Sequence, residues 1–133
     1  MKIYEYELMV KESHLDTFGH MNNAKYLEIL EEARWELITQ SGFGLKDIMA
    51  KKIGPVILEV NLKFRKELKL REKIKIITCC KKHDGKIGYI DQKIINSRGE
   101  EAAIAVFTYA LFDLNSRRII DPTPEWLSAI GLK

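Results

Sequence analysis

The sequence predicts an α+β domain in which an antiparallel sheet wraps around one long helix, and three observations carry that expectation. Only one long segment, about residues 24–40, has helical periodicity, with apolar side chains at Leu27, Leu30, Ala33, Leu37 and Ile38. The runs of strand character are joined by short turns, of which Asp84-Gly85 carries the strongest hairpin signal. The last run, residues 102–114, is apolar on both faces, Ile104, Val106 and Phe112 against Ala105, Phe107 and Leu111, so it is expected to be central and covered twice. A single helix can cover one face of such a sheet.

The elements follow in order. Residues 3–10 alternate, with Tyr4, Tyr6, Leu8 and Val10 on one face and Glu5 and Glu7 on the other, the pattern of a half-buried first strand. The long helix comes next, with Gly42 as its C-terminal cap, and residues 45–51 add a short second helix before Gly54-Pro55 restarts an extended chain. Val56, Leu58, Val60, Leu62 and Phe64 alternate with Glu59, Asn61, Lys63 and Arg65, which assigns the first set to the core. Strands over residues 72–82 and 86–96 form the Asp84-Gly85 hairpin, Ser97-Arg98-Gly99 turns the chain into the last long strand, and a terminal helix starts near Pro124.

The 133 residues make one domain, 1–133. Twenty-two Lys and Arg against 19 Asp and Glu give a net charge of +3, mixed along the chain, which does not mark a nucleic-acid binder. The longest unbroken apolar run, residues 102–107, is far short of the roughly 20 residues that a membrane helix needs, so no span is expected. Cys79 and Cys80 are adjacent in a strand and point to opposite faces, so they are not expected to pair. With no secretory leader, the expected location is a reducing cytoplasm. His14, His83, Asp84 and the cysteines lack metal-ligand spacing, and no Gly-x-Gly-x-x-Gly, Gly-x-Ser-x-Gly or phosphate loop occurs. Neither metal nor cofactor is therefore expected.

The segment Asp16-Thr17-Phe18-Gly19-His20-Met21-Asn22-Asn23-Ala24-Lys25-Tyr26 joins a carboxylate, a glycine turn and a helix start. The first N–H groups of a helix lack intrahelical partners and favour negative charge, so an oxyanion fits there, with Asp16 beside it. By residue type alone, Asp16 reads as a turn or cap residue, and either Asn22 or Asn23 serves as N-cap. His20 reads equally as a structural histidine or a group that exchanges protons near neutral pH. Tyr26 packs its ring on the sheet in the first reading and touches substrate in the second. Lys63, Arg65 and Lys66 form a basic group that either protects a strand edge or meets phosphates.

Asp16, Gly19, His20, Asn22, Asn23 and Tyr26, followed by Glu31-Glu32-Ala33-Arg34, resemble the hotdog-fold acyl-CoA thioesterases of the 4-hydroxybenzoyl-CoA thioesterase type. Plant acyl-carrier-protein thioesterases are also similar, but the Asn they place two residues before the His is Phe18 here, so their reactive set is incomplete. The resemblance implies a hotdog fold and hydrolysis of an acyl-CoA to acid and free CoA. Asp16 is then nucleophile or general base, the Asn23 N–H the oxyanion donor and His20 a helper. It also implies coenzyme A phosphates at Lys63, Arg65 and Lys66, and a homodimer or homotetramer. A non-catalytic acyl-CoA-binding module and a thioesterase acting on acyl-carrier protein are the alternatives, and the acyl group stays open.

Overall fold

In the computed structural model, which describes residues 2–133, strand β1 (Ile3–Met9) leads through a single 3-10 turn (Glu12–His14) to the long helix α1 (Asn23–Ile38). A π-helical turn (Thr39–Phe43) and α2 (Leu45–Lys51) follow. The rest is β2 (Ile53–Phe64), β3 (Lys73–Asp84), β4 (Ile87–Ile95), β5 (Glu101–Asp113), β6 (Arg118–Ile120) and α3 (Pro124–Ala129). The expected glycine stop is present, since Gly42 takes φ 89°, a left-handed conformation that glycine adopts without steric cost. Gly85 at φ 63° turns the β3–β4 hairpin in the same way.

All strand pairs are antiparallel, in the order β1-β3-β4-β5-β2. The three-residue β6, too short to leave a periodic signal, pairs with β5 from Leu111 onward, where β4 has ended at Ala110. Helix α1 lies on one face. Tyr26, Ile29, Leu30, Ala33 and Leu37, at helical spacing, are no more than 5% exposed. Leu27 is 40% exposed, so the buried stripe is rotated from the one expected and takes in Tyr26 and Ile29 instead. Opposite it stand Ile74 and Ile76 of β3, Ile94 of β4 and the odd-numbered residues of β5, among them Phe107, Tyr109 and Leu111.

A polar knot fixes helix to sheet. The Gln92 side chain, fully buried, donates to the Leu30 carbonyl (3.1 Å) and to Thr78 Oγ1 (3.0 Å), and its oxygen accepts from Arg34 Nη1 (2.9 Å). The Arg34 guanidinium lies 4.0 Å over the Phe107 ring. Burial pulls its pKa down to about 10.

Two strand expectations are corrected. In β2 the register slips between Ile57, opposite Tyr109, and Glu59, opposite Thr108, so Leu58 is the extra residue of a β-bulge. Val60, Leu62 and Phe64 share the helix-side face, but Val60 is 39% and Phe64 53% exposed and they stay out of the core; Ile57 continues that face and Val56 lies on the other. In β5 the helix-facing side is buried, whereas on the opposite face Ala102 and Ala110 are buried but Val106 between them is 41% exposed, so the expected second cover is incomplete.

Candidate active site

The loop ahead of α1 is held by the backbone. Asp16 N–H donates to the His20 carbonyl (3.0 Å), Gly19 N–H to the Asp16 carbonyl (3.2 Å), and Met21 N–H to the Leu68 carbonyl (2.9 Å). Gly19 makes the reversal with φ 87°. The bond from Met21 ties the loop to the chain leaving β2, which brings residues 64–67 against the start of α1.

Asp16 divides its two oxygens. Oδ1 accepts the Phe18 N–H at 2.8 Å, the turn bond expected of an aspartate in such a loop. Oδ2 lies 3.9 Å from His20 Nδ1, beyond hydrogen-bond length. At the helix start, Asn22 is the cap. Its Oδ1 accepts the Ala24 N–H and its carbonyl the Lys25 N–H, both at 2.9 Å. The Asn23 N–H has no acceptor among the described residues, and it is the first peptide group of a 16-residue helix. The helix dipole therefore acts on whatever anion approaches it.

Asp16 and Asn23 line one open cleft of about 410 Å³, with Phe18 and His20 on one side and Phe64 and Glu67 on the other. His20 Nε2 lies 3.6 Å from Glu67 Oε2, so the ring stands between two carboxylates. Tyr26 forms part of the wall, 4% exposed and edge-to-face with Phe64 at 4.9 Å. Burial raises the Tyr26 phenol above its ordinary range, and the nearby carboxylates of Glu67, Glu72 and Asp16 add to the rise.

The basic group is split by the pleat. Arg65 and Lys66 border the cleft, 3.8 Å from Glu101 and 3.7 Å from Glu100 respectively, in exposed pairs that hold each other weakly. Lys63 stands opposite Ile104 on the far face of the sheet and does not border the cleft. Glu67 and Phe64 were not singled out from the sequence, because only the return of the chain to Leu68 places them there.

Residues 10–130 match the thioesterase-like superfamily. This chain belongs to that superfamily. It is 31% identical over 115 residues to the long-chain acyl-CoA thioesterase FadM of Escherichia coli (strain K12), covering 86% of each chain. Among solved structures it resembles YbaW, a probable thioesterase from Escherichia coli, with a TM-score of 0.85 and 29% identity over 96% of each chain. It also resembles SAV2348 from Staphylococcus aureus in complex with CoA, with a TM-score of 0.91 and 17% identity, covering 98% of this chain and 82% of that one. The thioesterase-like superfamily carries the hotdog fold, here a sheet of six strands around α1. In this thioesterase-like chain, no described helix is long and apolar enough to cross a membrane.

Proposed function

We propose that this chain is an acyl-CoA thioesterase of the 4-hydroxybenzoyl-CoA thioesterase type, with Asp16 and the Asn23 N–H as its reacting groups. The observation that carries the reading is their presence on one cleft, with one Asp16 oxygen committed to the turn and the other left free. The thioester carbonyl enters with its oxygen toward the Asn23 N–H. Asp16 Oδ2 then either attacks the carbonyl carbon or takes a proton from the water that attacks it. As the tetrahedral centre forms, the carbonyl oxygen gains charge against the helix terminus, where a donor of this kind lowers the barrier by about 2.7–4 kcal/mol. The C–S bond then breaks and CoA leaves as thiolate. On the nucleophilic route, water hydrolyses the resulting mixed anhydride and frees Asp16.

Coenzyme A is read onto Arg65 and Lys66, which border the cleft and have only exposed carboxylates to displace. His20, between Asp16 and Glu67, orients rather than reacts. Strand β2 is an edge with Ile57, Leu58, Val60 and Phe64 each at least 39% exposed, the form of edge that a second copy covers, so the working unit is a homo-oligomer.

The test is release of free thiol from short, medium, long and aromatic acyl-CoAs by the wild type, Asp16→Asn and Asn23→Ala. Turnover is expected to fall by about 10²-fold or more in Asp16→Asn. Asn23→Ala, which keeps the backbone donor, is expected to lose less than about tenfold. Equal release by a folded Asp16→Asn protein would remove the assignment. Tight acyl-CoA binding without release would leave a binding module.

A further inference from the structure

We propose that a second cavity, beneath α3, binds a small free carboxylic acid of about four to six carbons, its carboxylate on Arg34 and Thr78 and its apolar body against Tyr109, Trp126 and Ile130. The cavity holds about 100 Å³. Its mouth is formed by Glu31 and Trp35 of α1 and Ile57 of β2, all exposed, and its deep wall by Tyr109, Trp126 and Ile130, none more than 1% exposed. None of its lining residues borders the Asp16 cleft, so a ligand here needs no passage between the two sites.

Gln92 builds the polar end. Arg34 Nη1 can only donate, so it takes the Gln92 oxygen at 2.9 Å, and the Leu30 carbonyl can only accept, so it takes the Gln92 amide nitrogen at 3.1 Å. The second amide hydrogen then goes to Thr78 Oγ1 at 3.0 Å. Thr78 is thereby held as an acceptor, and its own hydroxyl proton has no acceptor among the described residues although the residue is only 2% exposed. Arg34 is in a similar position. No ion pair among the described residues includes it, and its guanidinium has only the bond to Gln92 and the face of the Phe107 ring. Burial works against its charge, and the nearby Glu31 counters only part of that. One amide therefore presents two donors, one of them cationic, to a mainly apolar cavity that both of them line. A carboxylate, with two oxygens that only accept, supplies what both donors lack.

The deep wall sets the size and asks for an apolar body. Trp126 Nε1–H donates to Tyr109 Oη at 2.8 Å, and Tyr109 Oη is also bonded to His83 Nε2 at 2.6 Å, so the polar atoms of both rings already have partners. The Trp126 ring meets Phe43 edge-to-face at 5.1 Å, which fixes it in place. A dry cavity of roughly 150 Å³ takes benzene, so one of about 100 Å³ takes about four carbons, and the open mouth admits one or two more. Glu31 at that mouth is the one carboxylate of the lining, and its charge opposes an incoming anion.

Both tryptophans of the chain, Trp35 and Trp126, line the cavity, so their fluorescence reports its occupation. The intact protein, in the assembly it forms in solution, is titrated with acetate, butanoate, hexanoate and octanoate, and with hexan-1-ol as the uncharged counterpart, with calorimetry as a second readout. Affinity is expected to rise about three- to fourfold per methylene up to about six carbons and then to level off. Hexanoate should bind at least about tenfold more tightly than hexan-1-ol. Arg34→Gln should remove that preference, and Thr78→Val should weaken hexanoate by about three- to tenfold. Two further variants leave the Gln92 contacts in place. Exposed Glu31→Gln should tighten hexanoate by about two- to threefold, and Ile130→Phe, which fills the cavity, should lose both ligands. Absence of saturable binding, equal binding of acid and alcohol, or hexanoate binding that Ile130→Phe leaves intact would each overturn the proposal. No turnover is read in these titrations, so none of these results bears on the thioesterase reading.

Discussion

At the residue scale, the turn and the chemistry at Asp16 belong to different oxygens. An Asp16→Asn protein retains an oxygen to accept the Phe18 N–H and should melt within about 1 kcal/mol of the wild type, because only the free oxygen becomes an amide. Thermal unfolding of the variant that shows no turnover checks this. Gly19, at φ 87°, has open space around a would-be Cβ, so Gly19→Ala meets backbone strain alone, and a loss of about 1–2 kcal/mol is expected in denaturant titration. This part of the site was legible in the sequence because it is local: carboxylate, glycine, cap and helix start lie within 11 consecutive residues. Glu67 and Phe64 were not, since the approach of residue 68 to residue 21 is a tertiary contact with no periodicity to announce it.

At the scale of elements, the Gln92 knot joins β3, β4 and α1 through three hydrogen bonds, and its removal leaves the Arg34 guanidinium and the Thr78 hydroxyl short of partners in the core. Gln92→Ala should therefore cost about 2–4 kcal/mol, more than the cavity it opens, as read from chemical denaturation. Gly88→Ala should cost about 1–3 kcal/mol by pushing the Tyr109 ring off its place, visible as lost cooperativity or a lower midpoint. The sequence expectations held where periodicity and turn chemistry agree, in α1, α2 and the Asp84-Gly85 hairpin. They failed where one residue breaks the period. The bulge at Leu58 is invisible to an alternation count because Ile57 and Leu58 are both apolar. The apolar outer side of β5 correctly marked a central strand but promised a full cover, which fails at Val106.

At the scale of the whole molecule, acid and association are the sensitive variables. Tyr109 Oη accepts the Trp126 N–H and shares a 2.6 Å hydrogen bond with His83 Nε2, which holds the imidazole inside the fold. Burial lowers the His83 pKa below its ordinary 6.5, and His14, whose Nδ1 accepts the Lys11 N–H, is lowered too. In the window below 6.5 the unfolded chain binds protons that the folded chain refuses. This stability is complete above about pH 6.5 and is lost as the pH falls toward the folded-state values. Melting temperatures between pH 7.5 and 5 should decline, and less steeply in His83→Gln. The open β2 edge makes a second statement at this scale. Light scattering at micromolar concentration should return at least a dimer mass, and a monomer would contradict the proposed assembly.

The extra residue in β2 has a consequence for how the chain can be edited. Ile57 already faces Tyr109 and Glu59 already faces Thr108, so striking out Leu58 joins two correctly facing neighbours and makes the ladder regular without turning any other residue over. Strand registers are usually unforgiving of a lost letter, yet here a deletion should be silent in fold. What it would change is the local bend of the edge, and so the deletion separates the curvature of that edge from the chemistry of its side chains.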